Sequence, residues 1–275
     1  MLFRARMFAI LSIIVLSSCS HPMMKLDEEP APAGLKPSPT LAPTPKKLEE
    51  SQRDQELFET DQIRWVASPD QWDLISDEKG IQAYQRRDGT IGAERVSFRG
   101  ETIIPAPLVK IATILNNENI QKEWVDSLAE ARTIEKKSNF RSIGYNRTQV
   151  PWPFRDRDFL YSVQVKVNVE PPTMLIEMRS TQDSRMPPVE GVVRGEIVLS
   201  YFYMKQLPGS QGTKMVIEMT VDPKGAIPLW LVRSAQKRWP SNTLTKLKEL
   251  SMKESIPVSP EILNYFETRK TNGGK

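Results

Sequence analysis

Residues 159–169 alternate without a break: Phe159, Tyr161, Val163, Val165, Val167 and Val169 are apolar or aromatic, and Leu160, Ser162, Gln164, Lys166 and Asn168 stand between them. A sustained period of two fits an extended chain with one buried face, because successive side chains of a strand point to opposite sides. The neighbours such a strand needs follow at once. Met174, Ile176 and Met178 repeat the alternation, then Ile197, Leu199, Tyr201 and Tyr203, then Met215, Ile217, Met219 and Val221. Pro171-Pro172, Pro187-Pro188 and Pro208-Gly209 fall between these runs, where a meander of antiparallel strands must turn.

Upstream, residues 81–87 and 95–104 read as a strand pair joined around Asp88-Gly89, and 131–137 with 141–150 as another. Helical spacing is rarer. Pro107 opens one short helix with Leu108, Ile111, Ala112 and Leu115 on a face, and a second carries Ile120, Trp124 and Val125. After Asp222-Pro223-Lys224-Gly225, the positions Trp230, Leu231, Ala235, Trp239, Leu244, Leu247 and Leu250 predict a long amphipathic helix ending near Met252, kinked at Pro240. The fold class is therefore α+β, a curved antiparallel sheet closed by one long C-terminal helix. The domain is expected over residues 61–255, with 256–275 as a tail.

The formal net charge is only +4 and the basic residues are scattered, which argues against nucleic-acid binding. The only histidine is His21 and the only cysteine Cys19, so the expected domain contains neither. A Ser-His-Asp triad, a Cys-His pair and a His- or Cys-ligated zinc site have no residues to draw on there. No metal or cofactor is expected, and no enzyme; catalysis would rest on carboxylates, Lys or Tyr. No disulfide can staple the fold, so it must stand on its core.

Cys19 follows Arg4 and Arg6, the apolar run 7–16 and the small residues Ser17-Ser18. That order reads as a secretory signal, and it resembles the bacterial lipoprotein signal, in which the thiol is acylated and the peptide cleaved before the cysteine. Residues 1–18 are then the signal peptide, and 19–60 an acylated N-terminus and tether rich in proline (Pro22, Pro30, Pro32, Pro37, Pro39, Pro43, Pro45), too poor in apolar residues to order itself. Residues 48–58 offer at most a short exposed helix. The expected location is the bacterial cell envelope. Ser20 after Cys19 fits an outer membrane, with the domain facing the periplasm.

Pro151-Trp152-Pro153-Phe154 before Arg157-Asp158-Phe159, then Val193-Arg194-Gly195, then Asp222-Pro223-Lys224-Gly225-Ala226-Ile227-Pro228 come in an order that resembles the START family, the lipid-transfer domains related to steroidogenic acute regulatory protein. Gly80-Ile81 with Tyr84, and Trp124, fit the same pattern, and the resemblance spans roughly residues 65–252. It implies a helix-grip fold whose sheet wraps the long helix and leaves an apolar tunnel for one lipid-like ligand. For such a tunnel the ligand contacts are expected at Trp124, Asn146, Met178, Arg194, Ile217, Met219 and Ala235, of which Asn146, Met178 and Ile217 match family pocket positions. Asp222, Gly225 and Pro228 are expected as the turn and start of the last helix, and Arg157 with Asp158 as an ion pair holding a strand start.

The polar set by which ceramide-binding relatives read their ligand is largely missing. Val125 stands for their acidic residue, Gln121 for their arginine, and Met178 and Ile217 for their asparagine and tyrosine. Asn146 remains as a partner for a lipid hydroxyl, although Ile143 and Tyr145 would by hydropathy turn the opposite face of that strand inward. A sterol, a fatty acid or acyl chains with an exposed headgroup fit better than ceramide. Met174, Met178, Met215 and Met219 suit either an adaptable cavity or an ordinary core. Two other readings are an enzyme of the wider helix-grip superfamily using Asp158, Tyr145 or Arg194, and a non-catalytic envelope scaffold.

Overall fold

The structure, a computed structural model, describes residues 72–86 and 95–272. The expected signal peptide, Cys19, the proline-rich tether, the 48–58 helix and the Asp88-Gly89 turn lie outside the described residues.

Ten strands form one sheet: β1 (Trp72–Glu78), β2 (Ile81–Arg86), β3 (Val96–Ile104), β4 (Leu128–Ser138), β5 (Arg141–Thr148), β6 (Arg157–Val169), β7 (Pro172–Ser180), β8 (Val193–Arg194), β9 (Glu196–Gln206) and β10 (Thr213–Asp222). Their order is β1-β2-β3-β10-β9-β7-β6-β5-β4, antiparallel throughout, while the short β8 lies parallel to the start of β6. The chain leaves β3 in mid-sheet, crosses to the β4 edge and meanders back until β10 pairs with β3. That crossing carries α1 (Leu108–Leu115) and α2 (Gln121–Trp124) over one face of the sheet. After β10 come α3 (Leu229–Ser251), continuous through Pro240, and α4 (Pro260–Asn272). The second of these was not anticipated, since residues 256–275 were expected to be a tail.

Alternation decides what the helices cover. Val163, Val165 and Val167 of β6 stand opposite Met178, Ile176 and Met174 of β7, and Phe202 of β9 continues the row from Ile176. All lie on the face that packs with the helices. The C-terminal half of α3 sits over β2 and β3 and buries Leu244, Leu247 and Leu250 almost completely. Each such leucine contributes about 1.5–3 kcal/mol relative to exposure. Gly100 on β3 permits this approach, because a Cβ there would stand 2.8 Å from Cβ of Pro240 and 2.9 Å from Cδ1 of Leu244.

The outer face has small cores of its own: Leu175, Tyr201, Tyr203 and Val216 in one, and Ile143, Tyr145 and Leu160 with Ile134 and Met186 in the other. The second answers the conflict over β5. Ile143 and Tyr145 are buried, but outward, so Asn146 shares the inner face with Ser142 and Gly144.

The turn into α3 is built as the sequence suggests. Lys224 N–H donates to Asp222 Oδ1 (2.9 Å), Gly225 takes the left-handed conformation (φ 67°) that costs glycine least, and Pro228 caps the helix. Arg157 closes it, its guanidinium donating to the carbonyls of Pro223 (3.2 Å) and Lys224 (3.1 Å). The expected Arg157–Asp158 ion pair is corrected. Neighbours on a strand point to opposite faces. Asp158, its side chain 1% exposed, faces outward and is held by both guanidinium arms of Arg194, Nε to Oδ1 at 2.8 Å and Nη2 to Oδ2 at 3.0 Å.

Candidate functional site

The α3 helix covers only the β2–β3 side of the inner face. Over β5, β6, β7 and β9 a cavity of about 670 Å³ remains, partly open to solvent and within the range of small-molecule sites. Its floor is apolar: Val163, Val165, Val167, Met174, Ile176, Met178 and Phe202. Ala112 and Leu115 of α1 and Trp124 of α2 wall it, with Ile262, Tyr265 and Phe266 of α4.

One end of the lining is polar. Thr133 of β4 donates to Glu118, and Tyr161 of β6 and Asn146 of β5 line the same cavity. Burial, with the Glu118 charge second, pushes the Tyr161 phenol far above its ordinary range, so it is a neutral hydroxyl at physiological pH. Trp124 is 6% exposed and meets Phe202 edge-on at 6.1 Å. Its position is tied to α3 by Asp126, which accepts from Asn242 Nδ2 (3.3 Å) and Lys246 Nζ (3.2 Å).

Two polar atoms of this wall are buried without a hydrogen-bond partner, the indole N–H of Trp124 and Oδ1 of Asn146. Buried polar groups are nearly always paired, so a donor and an acceptor left open beside an apolar floor are each available to a polar atom of a ligand. Among the described residues, no group of three or more His, Cys, Asp or Glu is placed to hold a metal ion.

Of the residues expected to touch ligand, Trp124, Asn146 and Met178 line the cavity. The other four are placed elsewhere, which corrects the expectation. Arg194 is on the outer face with Asp158, because it follows the outward side of β6. Ile217 is fully buried beside Gly100 and Leu244 in the core beneath α3. Met219, on the same face of β10, is half-buried and off the cavity wall, and Ala235 of α3 is exposed and also absent from it. Of the methionines, Met174 joins Met178 in the floor while Met215 is solid core.

Tyr145, Asp158 and Arg194, the trio considered for acid-base work, form one outer-face cluster away from the cavity. Burial first, then Asp158, raises the Tyr145 phenol, and the hydrogen bond to Asp158 raises the Arg194 guanidinium. A bidentate pair of this kind ties strands together.

The sequence reading missed the α4 wall, though its signals were present. Ser259-Pro260-Glu261 is a helix start, and Ile262, Tyr265, Phe266 and Arg269 recur at helical spacing. Tyr161 was read as a strand residue without its place in the site.

A sheet gripping a helix beside a cavity with an apolar floor defines a helix-grip domain, and the START domain pattern matches residues 48–250. The chain belongs to the START domain family. Among its relatives, the phosphatidylcholine transfer protein of Bos taurus is 25% identical over 177 residues, 63% of this chain and 80% of its own. Human StAR-related lipid transfer protein 5 superposes with a TM-score of 0.60 at 17% identity, covering 75% of this chain and 96% of that one. A STAR-related lipid transfer protein fragment from Xanthomonas axonopodis gives 0.57 at 23% identity over 66% of this chain and 99% of its own. These relatives support lipid binding or transfer in general.

Proposed function

We propose that this chain is a single-lipid carrier of a bacterial envelope, held to its membrane through acylated Cys19 and loading one apolar ligand between β5–β9 and the helices. The observation that carries the reading is the cavity, with an apolar floor for hydrocarbon and an unpartnered donor and acceptor in its wall. A ligand hydroxyl or protonated carboxyl can accept from Trp124 Nε1 or donate to Asn146 Oδ1, so a sterol, a fatty acid or another lipid with a hydroxyl is the class it suits. No bond to the ligand is made or broken in such a role. Contact with a bilayer is supplied by Trp152, which is 92% exposed in the loop before β6. Tryptophan places its ring at the apolar boundary and its N–H in the wet region.

The test is to fill the floor. Ile176→Trp adds an indole where a packed core would charge about 1–3 kcal/mol for the overpacking. In a ligand cavity the variant melts nearly as wild type when delipidated and takes up little fluorescent fatty acid. Loss of stability with unchanged uptake would overturn the reading. The anchor is tested separately, since stable attachment requires at least two lipid signals. Cys19→Ala is expected in the supernatant after a high-salt wash of membranes, and a variant that still pellets would remove acylation from the account.

A further inference from the structure

The last helix forms one wall of the partly open cavity, and the structure holds its two ends very differently. We propose that α4 is a hinged lid, and that ligand enters and leaves by its displacement from the β4–β5 turn. The proposal rests on the reading of the cavity as a lipid site. The matched family region ends at residue 250, so this wall is an addition to the gripped sheet and not part of it.

The hinge is the segment between α3 and α4. Lys110 of α1, 9% exposed, donates its ammonium to the carbonyls of Lys253 (2.8 Å) and Ile256. Thr113, 8% exposed, accepts the amide of Ser259 at 3.0 Å. Ser259 in turn caps α4, its carbonyl accepting from Leu263 N–H at 3.0 Å. The entry to the helix is therefore pinned to α1 by buried side chains, whatever the rest of it does.

Beyond this hinge the contacts are of another kind. Tyr265 meets Phe140 at the β4–β5 turn edge-on at 5.4 Å, both half-buried. Asn139 Nδ2 donates to Glu261 Oε1 at 3.3 Å on the surface, and Lys270 approaches Glu170 at 4.0 Å with both side chains more than 70% exposed. Exposed pairs of this sort hold little in water. Among the residues of α4 whose burial is described, only Phe266 is buried, 8% exposed, and it enters the core cluster together with Ile262 and Tyr265. Those side chains are the cavity wall itself. Lifting α4 uncovers them and the apolar floor together, so the lid rests closed in water and opens where apolar surface is received, at a bilayer or by an incoming ligand.

Locking the lid tests this. In the full chain carrying Cys19→Ala, Glu170→Cys and Lys270→Cys introduce the only thiols, at the far end of α4 on exposed side chains whose charged groups are 4.0 Å apart. A short reducible bis-thiosulfonate reagent joins them. Extraction of a pyrene-labelled fatty acid and of a fluorescent sterol from vesicles of phosphatidylcholine and phosphatidylglycerol is then followed before and after reduction. The cross-linked protein is expected to extract at least tenfold more slowly, to keep a preloaded probe, and to regain the wild-type rate on reduction. Equal rates in both states would overturn the lid and leave the lipid site standing. Extraction by neither the reduced variant nor wild type would overturn the lipid site, and the lid with it.

Discussion

Replacing Asn146 by leucine is expected to move stability and ligand affinity in opposite directions. Oδ1 of Asn146 is buried with no partner, and an unsatisfied buried acceptor costs about 1–3 kcal/mol, whereas leucine of similar size asks for nothing. Allowing for the imperfect fit of a branched side chain, the lipid-free protein gains about 1 kcal/mol, which in a domain of this size raises Tm by about 2–4 °C. With ligand bound the amide would otherwise be paired, and its loss removes a net contribution of about 0.5–1.5 kcal/mol, so affinity falls about two- to tenfold. Scanning calorimetry of delipidated protein and a fluorescent-lipid titration read the two effects independently. A lower Tm with unchanged affinity would show that the amide serves the fold, and the assignment of Asn146 to the ligand would be refuted.

Other expectations follow from the same geometry. Arg194→Leu leaves the buried Asp158 carboxylate unpaired and should cost about 3–5 kcal/mol in urea unfolding, with the Asp158→Leu/Arg194→Leu double variant losing less than the two singles together; strict additivity would reject the tie. Gly100→Ala drives a methyl into Pro240 and Leu244 and is expected to lower stability by about 1–3 kcal/mol; an unchanged Tm would mean that α3 does not grip β3 this closely. Burial holds the Glu218 carboxyl above its ordinary 4.5, with the hydrogen bond from Tyr201 and the Arg99 charge partly opposing it. The folded state then binds this proton more tightly than the unfolded, so the stabilisation is complete below 4.5 and is lost as pH rises through the raised value. The advantage of Glu218→Gln over wild type should therefore grow between about pH 4 and pH 7, and a constant difference would show that Glu218 does not titrate this way.

The floor of the cavity was legible in the sequence because β6 and β7 carry apolar residues on one face in strict alternation, and their register then sets Val163, Val165 and Val167 against Met178, Ile176 and Met174. The β5 face was not, since Ile143 and Tyr145 are as hydrophobic as any inward pair yet pack outward on Leu160 and Met186. Hydropathy reports burial and not which side is buried. Arg157 and Asp158 are adjacent in sequence but opposed across the strand, so proximity along the chain suggested a bond that the pleat forbids. Ala235 was read from the apolar face of the expected helix, and Arg194 from the Val193-Arg194-Gly195 motif. Whether they reach ligand depends on the rotation of α3 and on β8 following the outer side of β6, neither of which a spacing encodes. The α4 wall lay beyond the segment that resembled the family and was passed over despite its own helix signals.

Native mass spectrometry of the purified protein addresses the central claim directly. The account predicts a chain carrying one lipid-sized ligand, at a ratio of one to one, present after purification or after incubation with vesicles and released on denaturation. A chain that stays bare under both conditions would contradict it.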